Sequence, residues 1–371
     1  MKELKRFADQ NWSVNMANSI IEKYPYLTDK WQYDYGVVFK GMEYVYKKTN
    51  DKKYFNYIKE NIDYFVEEDG NIKKYNLTEY NIDHINNGKS LFFLYKETKQ
   101  EKYKKAIELL RNQLKTHPRT TEGGFWHKNI YPHQMWLDGI YMASPFLAEY
   151  AHEFGEADLF DDVAKQVILC AKHTKDPITG LHYHGWDESR NQKWSNKITG
   201  CSPNFWGRAM GWYAMAIVDI LDYLPENHES RQSIIGIFES MIEALIKYQD
   251  KETGLWYQVV NRPDIEKNYH EASASCMFSY AIAKAINNDY ISHKYLDNLE
   301  MAYKGIINNF VKMDNNGYYE LHGTCMVAGL GGNPYRDGSV EYYLSEPIKV
   351  DDFKGVGAFI KASAEIEKLF N

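Results

Sequence analysis

The segment EASASCMFSYAIAKAI, residues 271–286, has the length of a helix and carries charge only near its ends, at Glu271 and Lys284. A helix that is apolar nearly all round has no face to give to water and has to be enclosed. FKGVGAFIKAS, residues 353–363, is of the same kind. YKKAIELLRNQLK, residues 103–115, differs: it has a charged stripe and belongs on an outer surface. Along the chain the two kinds alternate. DGIYMASPFLAEYAHEF (138–154) is followed by ADLFDDVAKQVILCAKHT (157–174), and WGRAMGWYAMAIVDILDYL (206–224) by SIIGIFESMIEALIKYQ (233–249). With FADQNWSVNMANSIIEKY (7–24) read as one helix at the start, the periodicity predicts twelve helices in six hairpins.

Between helices a second signature recurs: an acidic or small residue, a glycine, then alternating large residues. It stands as DGNIKKY at 69, EGGFWHK at 122, TGLHYHGW at 179, TGLWYQVV at 253 and NGYYELHG at 316. Each reads as a turn leading into a short extended segment, and such recurrence marks a repeat architecture. The expected fold is all-α, an (α/α)6 barrel of six helical hairpins with short β-like segments in the connecting turns. No Pro/Ser-rich linker interrupts the chain, so residues 1–371 are expected to form a single domain. An open α-solenoid obeys similar neighbour rules and is the competing architecture.

Composition narrows the partners. The net charge of −7 argues against nucleic acid. No apolar run approaches the ~20 residues needed to span a bilayer, and the N-terminus lacks the apolar core of a secretory signal. Cys170, Cys201, Cys276 and Cys325 are far apart and form no C-x-x-C, as expected of reduced thiols in a cytoplasmic protein. The 31 Tyr and 9 Trp point to carbohydrate, because aromatic faces stack on sugar C–H faces while Tyr and Trp keep a polar handle. Large helical cores also use aromatics.

In an alternating barrel all inner helices run the same way, so their N-termini meet at one rim. The residues at those starts are unusual: Asp34 and Tyr35, Asp83 and His84, Trp136 and Asp138, Trp206 and Arg208, His270 and Glu271, and Lys354. The turn segments add His127, Lys128, His182 and His184. Free N–H groups and the positive dipole ends of helices suit an anion. Arg208 adds a fork for a carboxylate, and the aromatics add walls for a sugar ring, so the rim reads as a site for an acidic sugar. Each residue also has a plainer reading. Asp83 and Asp138 are natural N-caps, His127 and His184 can be core histidines, and Trp206 and Trp212 can be packing. The histidine spacings match no metal motif.

Two carboxylic acids at a sugar site suggest glycoside hydrolysis. A different use of one acid suits a 4,5-unsaturated uronic acid, which carries a vinyl ether. The acid protonates C4, water adds at C5 with the carboxylate now acting as base, and the hemiketal opens and expels the partner sugar. An ordinary inverting glycosidase, a sugar epimerase and a binding protein without catalysis are the competing classes.

GGFWHKNIYPHQMWLDGIYM, TGLHYHGWDES, TGCSPNFWGRAMGWYAMAIVD and YQDKETGLWYQVV resemble glycoside hydrolase family 105, the unsaturated rhamnogalacturonyl hydrolases, from about residue 30 to the C-terminus. The related unsaturated glucuronyl hydrolases of family 88 fit less well. The resemblance implies Asp138 as general acid/base and Asp83 as an assisting acid. It further implies His184, Arg208, Trp206 and Trp212 as substrate contacts, with Tyr33 and His127 lining the pocket; Trp136 joins them by its place on the rim, and Lys354 is a candidate partner of the substrate carboxylate. It implies no metal or organic cofactor and a cytoplasmic enzyme of pectin degradation. The substrate would be a small unsaturated acidic disaccharide or short oligosaccharide, first of all unsaturated galacturonyl-rhamnose, and the enzyme a monomer or homodimer. An unsaturated glucuronyl disaccharide is the alternative substrate.

Overall fold

A computed structural model describes residues 2–370. Among them are fourteen α-helices: α1 (Lys2–Ala8), α2 (Trp12–Lys23), α3 (Tyr33–Thr49), α4 (Lys52–Asp63), α5 (Gly88–Thr98), α6 (Glu101–Thr116), α7 (Leu137–Phe154), α8 (Leu159–Thr174), α9 (Gly207–Ile220), α10 (Arg231–Lys247), α11 (Ala272–Asn287), α12 (Leu296–Phe310), α13 (Val340–Ser345) and α14 (Phe353–Lys368). Helices α3, α5, α7, α9, α11 and α14 form an inner ring in which α14 returns to pack on α3. Their outer partners are α4, α6, α8, α10 and α12, while α2 covers α14. The hairpin that closes the ring therefore joins the two ends of the chain, and the architecture is the (α/α)6 barrel.

The two kinds of helix behave as their sequences require. All of α9 and residues Ala272–Ile286 of α11 are buried. In α6 burial follows one stripe, Tyr103, Ala106, Ile107, Leu110 and Leu114 among them. Closure depends on a small residue at the seam. A Cβ on Gly357 of α14 would lie 2.5 Å from the carbonyl carbon of Val37 in α3, so only glycine admits this backbone approach. The five turn glycines, Gly70, Gly123, Gly180, Gly254 and Gly317, all have φ between 76° and 95°. Two of these turns are held alike: the Asp176 and Asp250 carboxylates accept from the backbone N–H of Thr179 at 2.8 Å and of Thr253 at 2.7 Å.

Short antiparallel pairs follow the turns: β1 (Gln134–Trp136) with β2 (Gly185–Asp187), β3 (Val311–Met313) with β4 (Tyr319–Leu321), and β5 (Thr324–Cys325) with β6 (Ile348–Lys349). No described helix is long and apolar enough to cross a membrane.

The structure departs from the expected helices at three places. Residues 7–24 are not one helix: Asn11, with φ 52°, ends the run, and α1 folds against α12 and α14. Asp83 and His84 do not begin the second inner helix. They lie in a 3-10 turn, Ile82–Ile85, and α5 starts only at Gly88. Helix α13 had no counterpart in the periodicity. Its six residues are too short a window, and Ser339 starts it by accepting from the N–H of Tyr342.

Candidate active site

Two neighbouring inner helices begin in the same way. Trp136 is the N-cap residue of α7 and Trp206 that of α9, and two residues further on come Asp138 and Arg208. Neither tryptophan side chain caps the backbone. A carboxylate in a first turn agrees with the helix dipole, whereas a guanidinium opposes it. Arg208 therefore stands in an electrostatically unfavourable place and needs a reason.

Asp138 is not an N-cap, contrary to one reading of its position; it lies inside the first turn. Its Oδ2 is buried with no hydrogen-bond partner among the described residues. It faces Nε2 of His184 at 3.2 Å. The two atoms are close, but their alignment falls short of a hydrogen bond, and both remain unpaired. The His184 ring is fixed from behind: its Nδ1 is hydrogen-bonded to the Tyr343 hydroxyl at 2.8 Å, and Trp206 packs on it with ring centroids 4.7 Å apart. The β1–β2 pair sets this juxtaposition, since the His184 carbonyl accepts from the N–H of Leu137 at 3.0 Å.

Asp83 is likewise capped rather than capping: the Asn81 side chain accepts from its N–H at 3.1 Å. Its carboxylate meets the Lys128 ammonium at 2.6 Å and His127 Nε2 at 3.7 Å. Burial alone would raise the Asp83 carboxyl, but Lys128 and His127 outweigh it and hold it below its ordinary range. Burial also takes His127 down to about 4, against the pull of Asp83, so its ring is neutral near pH 7. That ring stacks on Trp136, with centroids 4.2 Å apart and planes 14° apart.

Arg208 is 1% exposed. Its guanidinium donates to the Cys325 carbonyl and to the Ser273 hydroxyl, the latter at 3.4 Å, and its Nε is buried without a partner among the described residues. Among the described residues no carboxylate pairs with it directly. Burial works against its charge, while Cys325, Glu271 and Tyr33 favour it and leave it firmly cationic. Glu271 itself is engaged, accepting from the N–H of Ala274 at 2.6 Å and of Cys325 at 2.9 Å. Lys354 contrasts with Arg208: Asp352 neutralises it at 2.8 Å, and its ammonium lies 5.9 Å from the Tyr33 ring centroid. The Tyr33 ring meets the edge of Trp212 at 6.2 Å. A cleft of about 340 Å3 opens beside Tyr33, Asp83 and Lys128.

Tyr33, Asp83, His127, Trp136, Asp138, His184, Trp206, Arg208, Trp212 and Lys354 thus gather at the rim where the inner helices start. His182 and His270 do not join them. His182 is a core residue bonded to Thr174 at 2.9 Å and taken down to about 3 by burial. His270 lies against the Tyr257 ring at 4.3 Å. Two partners escaped the sequence. Tyr343 holds His184 from α13, and Gln258 accepts from Trp206 Nε1 at 3.1 Å. The Ser339 cap ahead of paired tyrosines was the available signal for the first.

Comparison with known proteins agrees with this geometry. A family model described as Glycosyl Hydrolase Family 88 matches residues 12–370. Unsaturated rhamnogalacturonyl hydrolase YesR of Bacillus subtilis is 30% identical over 280 residues, 74% of this chain and 76% of that one. A solved glycoside hydrolase from family 105 of C. acetobutylicum superposes with a TM-score of 0.95 at 50% identity, covering 96% of this chain and 99% of the other. The unsaturated glucuronyl hydrolase of Bacillus sp. GL1 shares the fold, with a TM-score of 0.70 at 11% identity over 97% of this chain and 96% of that one. The chain belongs to this glycosyl hydrolase family, on its family 105 side, and is a glycoside hydrolase.

Proposed function

We propose that the enzyme removes a 4,5-unsaturated uronic acid from the non-reducing end of pectin-derived disaccharides and short oligosaccharides, with unsaturated galacturonyl-rhamnose as the preferred substrate. The observation that carries this reading is the buried, unpaired Asp138 Oδ2 opposite His184. Buried polar atoms are normally satisfied, and one left open at a rim of aromatics is a place for a substrate proton. Asp138 in its acid form protonates C4 of the vinyl ether. Positive charge develops at C5, water adds there, and the Asp138 carboxylate takes the proton released by that water. The hemiketal then opens, and the partner sugar leaves from the uronyl anomeric carbon without direct attack on that carbon.

The other residues hold the ring in place. Arg208, a cation with no carboxylate paired to it, receives the uronate carboxylate. Asp83, kept ionised by Lys128, accepts hydrogen bonds from sugar hydroxyls. Trp136, Trp206, Trp212 and Tyr33 supply faces and edges for the C–H surfaces of the sugar, and His184 and the neutral His127 complete the polar lining. Lys354, already paired with Asp352, has the lesser part in binding the carboxylate. The name carried by YesR supports the choice of sugar. A lyase that cuts pectin by elimination is the class of reaction that must supply this double bond.

Unsaturated uronides absorb in the ultraviolet through the conjugated carboxylate, and hydration abolishes the band. The absorbance should fall on adding enzyme to unsaturated galacturonyl-rhamnose, and faster than with an unsaturated glucuronyl disaccharide. Release of reducing sugar from saturated substrates alone would place the protein with conventional glycosidases instead. A faster fall with the glucuronyl disaccharide would reassign the sugar.

A further inference from the structure

The end of the barrel opposite Asp138 holds a cavity of about 440 Å3. Asp138 and Glu149, which lines this cavity, are eleven residues apart on α7, ~16 Å at 1.5 Å per residue. Most charges here are matched. Asp219 of α9 binds Lys284 of α11 at 2.8 Å and Lys361 of α14 at 2.9 Å, and Lys40 of α3 meets Glu43 at 2.7 Å. Lys89 is the exception. It is 3% exposed, lines the cavity, and has no carboxylate within ion-pair distance among the described residues.

The position of Lys89 follows from the late start of α5. The 3-10 turn around Asp83 takes up the rim, and residue 89 is drawn down into the barrel. There its ammonium stands 3.5 Å from the Tyr141 ring centroid and donates to the Tyr141 carbonyl at 3.3 Å. That carbonyl is available because Pro145, four residues on in α7, has no N–H to give it. One long bond uses one of three ammonium donors.

We infer that this cavity is a second ligand site, for a hydroxylated monocarboxylate of monosaccharide size, with Lys89 as the partner of its single negative charge. One unpaired cation calls for one anionic group. Asp219, Asp222 and Glu365 along the lining accept hydroxyls and repel a second negative charge. The volume lies within the usual range of small-molecule sites, ~300–1,000 Å3. Burial, with Lys361 and Lys40 adding to it and Asp219 and Glu149 opposing, drives the Lys89 amine well below its ordinary value. Lys284 also faces this space from α11. A carboxylate arriving beside Lys89 favours its charged form. The site is independent of the substrate reading given above.

Calorimetry with D-galacturonate tests this assignment, with D-galactose as the uncharged counterpart and inorganic phosphate as the more highly charged one. Arg208→Ala disables the carboxylate position at the other rim and isolates the lower site. Galacturonate should bind the wild type and Arg208→Ala with measurable affinity, and Lys89→Met should weaken binding in the Arg208→Ala background at least tenfold. Galactose and phosphate should bind at least tenfold more weakly than galacturonate. Absence of binding to Arg208→Ala, binding indifferent to Lys89→Met, or a preference for galactose or phosphate would each overturn the assignment.

Discussion

Both mouths of the barrel bury ionisable groups and, Lys89 apart, treat them in opposite ways. At the mouth formed by the inner N-termini, Asp138 Oδ2, His184 Nε2, His127 Nδ1 and Arg208 Nε are buried without hydrogen-bond partners among the described residues. At the other mouth Asp219 is shared by Lys284 and Lys361, and Glu43 by Lys40 and Lys47. Helix C-termini end there, and lysines favour that end of the dipole. Burial of charge is common to both ends, so it does not by itself mark a catalytic site. A cluster of unpartnered groups is the better sign of a ligand, because an unsatisfied buried group is costly unless something completes it.

Asp138→Asn tests the open mouth most severely. The change is nearly isosteric and removes the proton, so kcat in the ultraviolet assay should fall by about 10³-fold, with an unchanged melting temperature. Near wild-type turnover would remove Asp138 from the chemistry. The closed mouth should respond in the other currency, stability. Asp219→Ala strands two buried lysines and should cost about 3 kcal/mol in urea unfolding, with little change in turnover per folded molecule. A fully stable but inactive Asp219→Ala would erase the distinction between the mouths. Arg208→Ala comes third: the Michaelis constant should rise about thirtyfold, near 2 kcal/mol, with kcat less affected. A lowered kcat with an unchanged Michaelis constant would shift Arg208 from holding the carboxylate to stabilising the transition state.

The ring was legible in the sequence because its two helix classes differ in composition over whole turns. Residues 271–286 have no polar face and 103–115 have one, and the recurring Gly turns announce the spacing. The rim was legible for the same reason, since alternation sends every inner N-terminus to one end. What could not be read was local and short. Asp83 looked like a helix start because Asp often caps, yet Asn81 takes that part and the chain makes a 3-10 turn before α5. No periodicity exists over four residues to reveal this. The same turn sets the depth of Lys89, so its isolation was invisible as well. Tyr343 reaches His184 across 159 residues of sequence, a contact that only tertiary packing defines.

The smallest expected effect concerns pH and separates the mouths through His127, because no histidine among the described residues lines the lower cavity. Burial holds the His127 ring at about 4 in the folded protein, below the 6.5 of a free histidine. As pH falls below 6.5 the unfolded chain takes up the proton first, so the folded state loses ground. The contribution is whole above pH 6.5 and declines toward pH 4, by up to about 1.4 kcal/mol per unit. His127→Gln keeps a polar side chain in place without the titration. Melting measured at pH 7.5 and 5.5 should therefore show a smaller drop in the variant, by about 1 kcal/mol. His84, His117, His182 and His270, also held low by burial, keep their shares of the slope. Lys284→Met at the lower mouth should leave the difference between these two pH values unaltered, since Lys284 is held well above its ordinary value once Asp219 and Asp222 outweigh its burial. If His127→Gln gives the same drop as the wild type, His127 is not titrating as a buried neutral ring, and its stacking on Trp136 must persist with a charge.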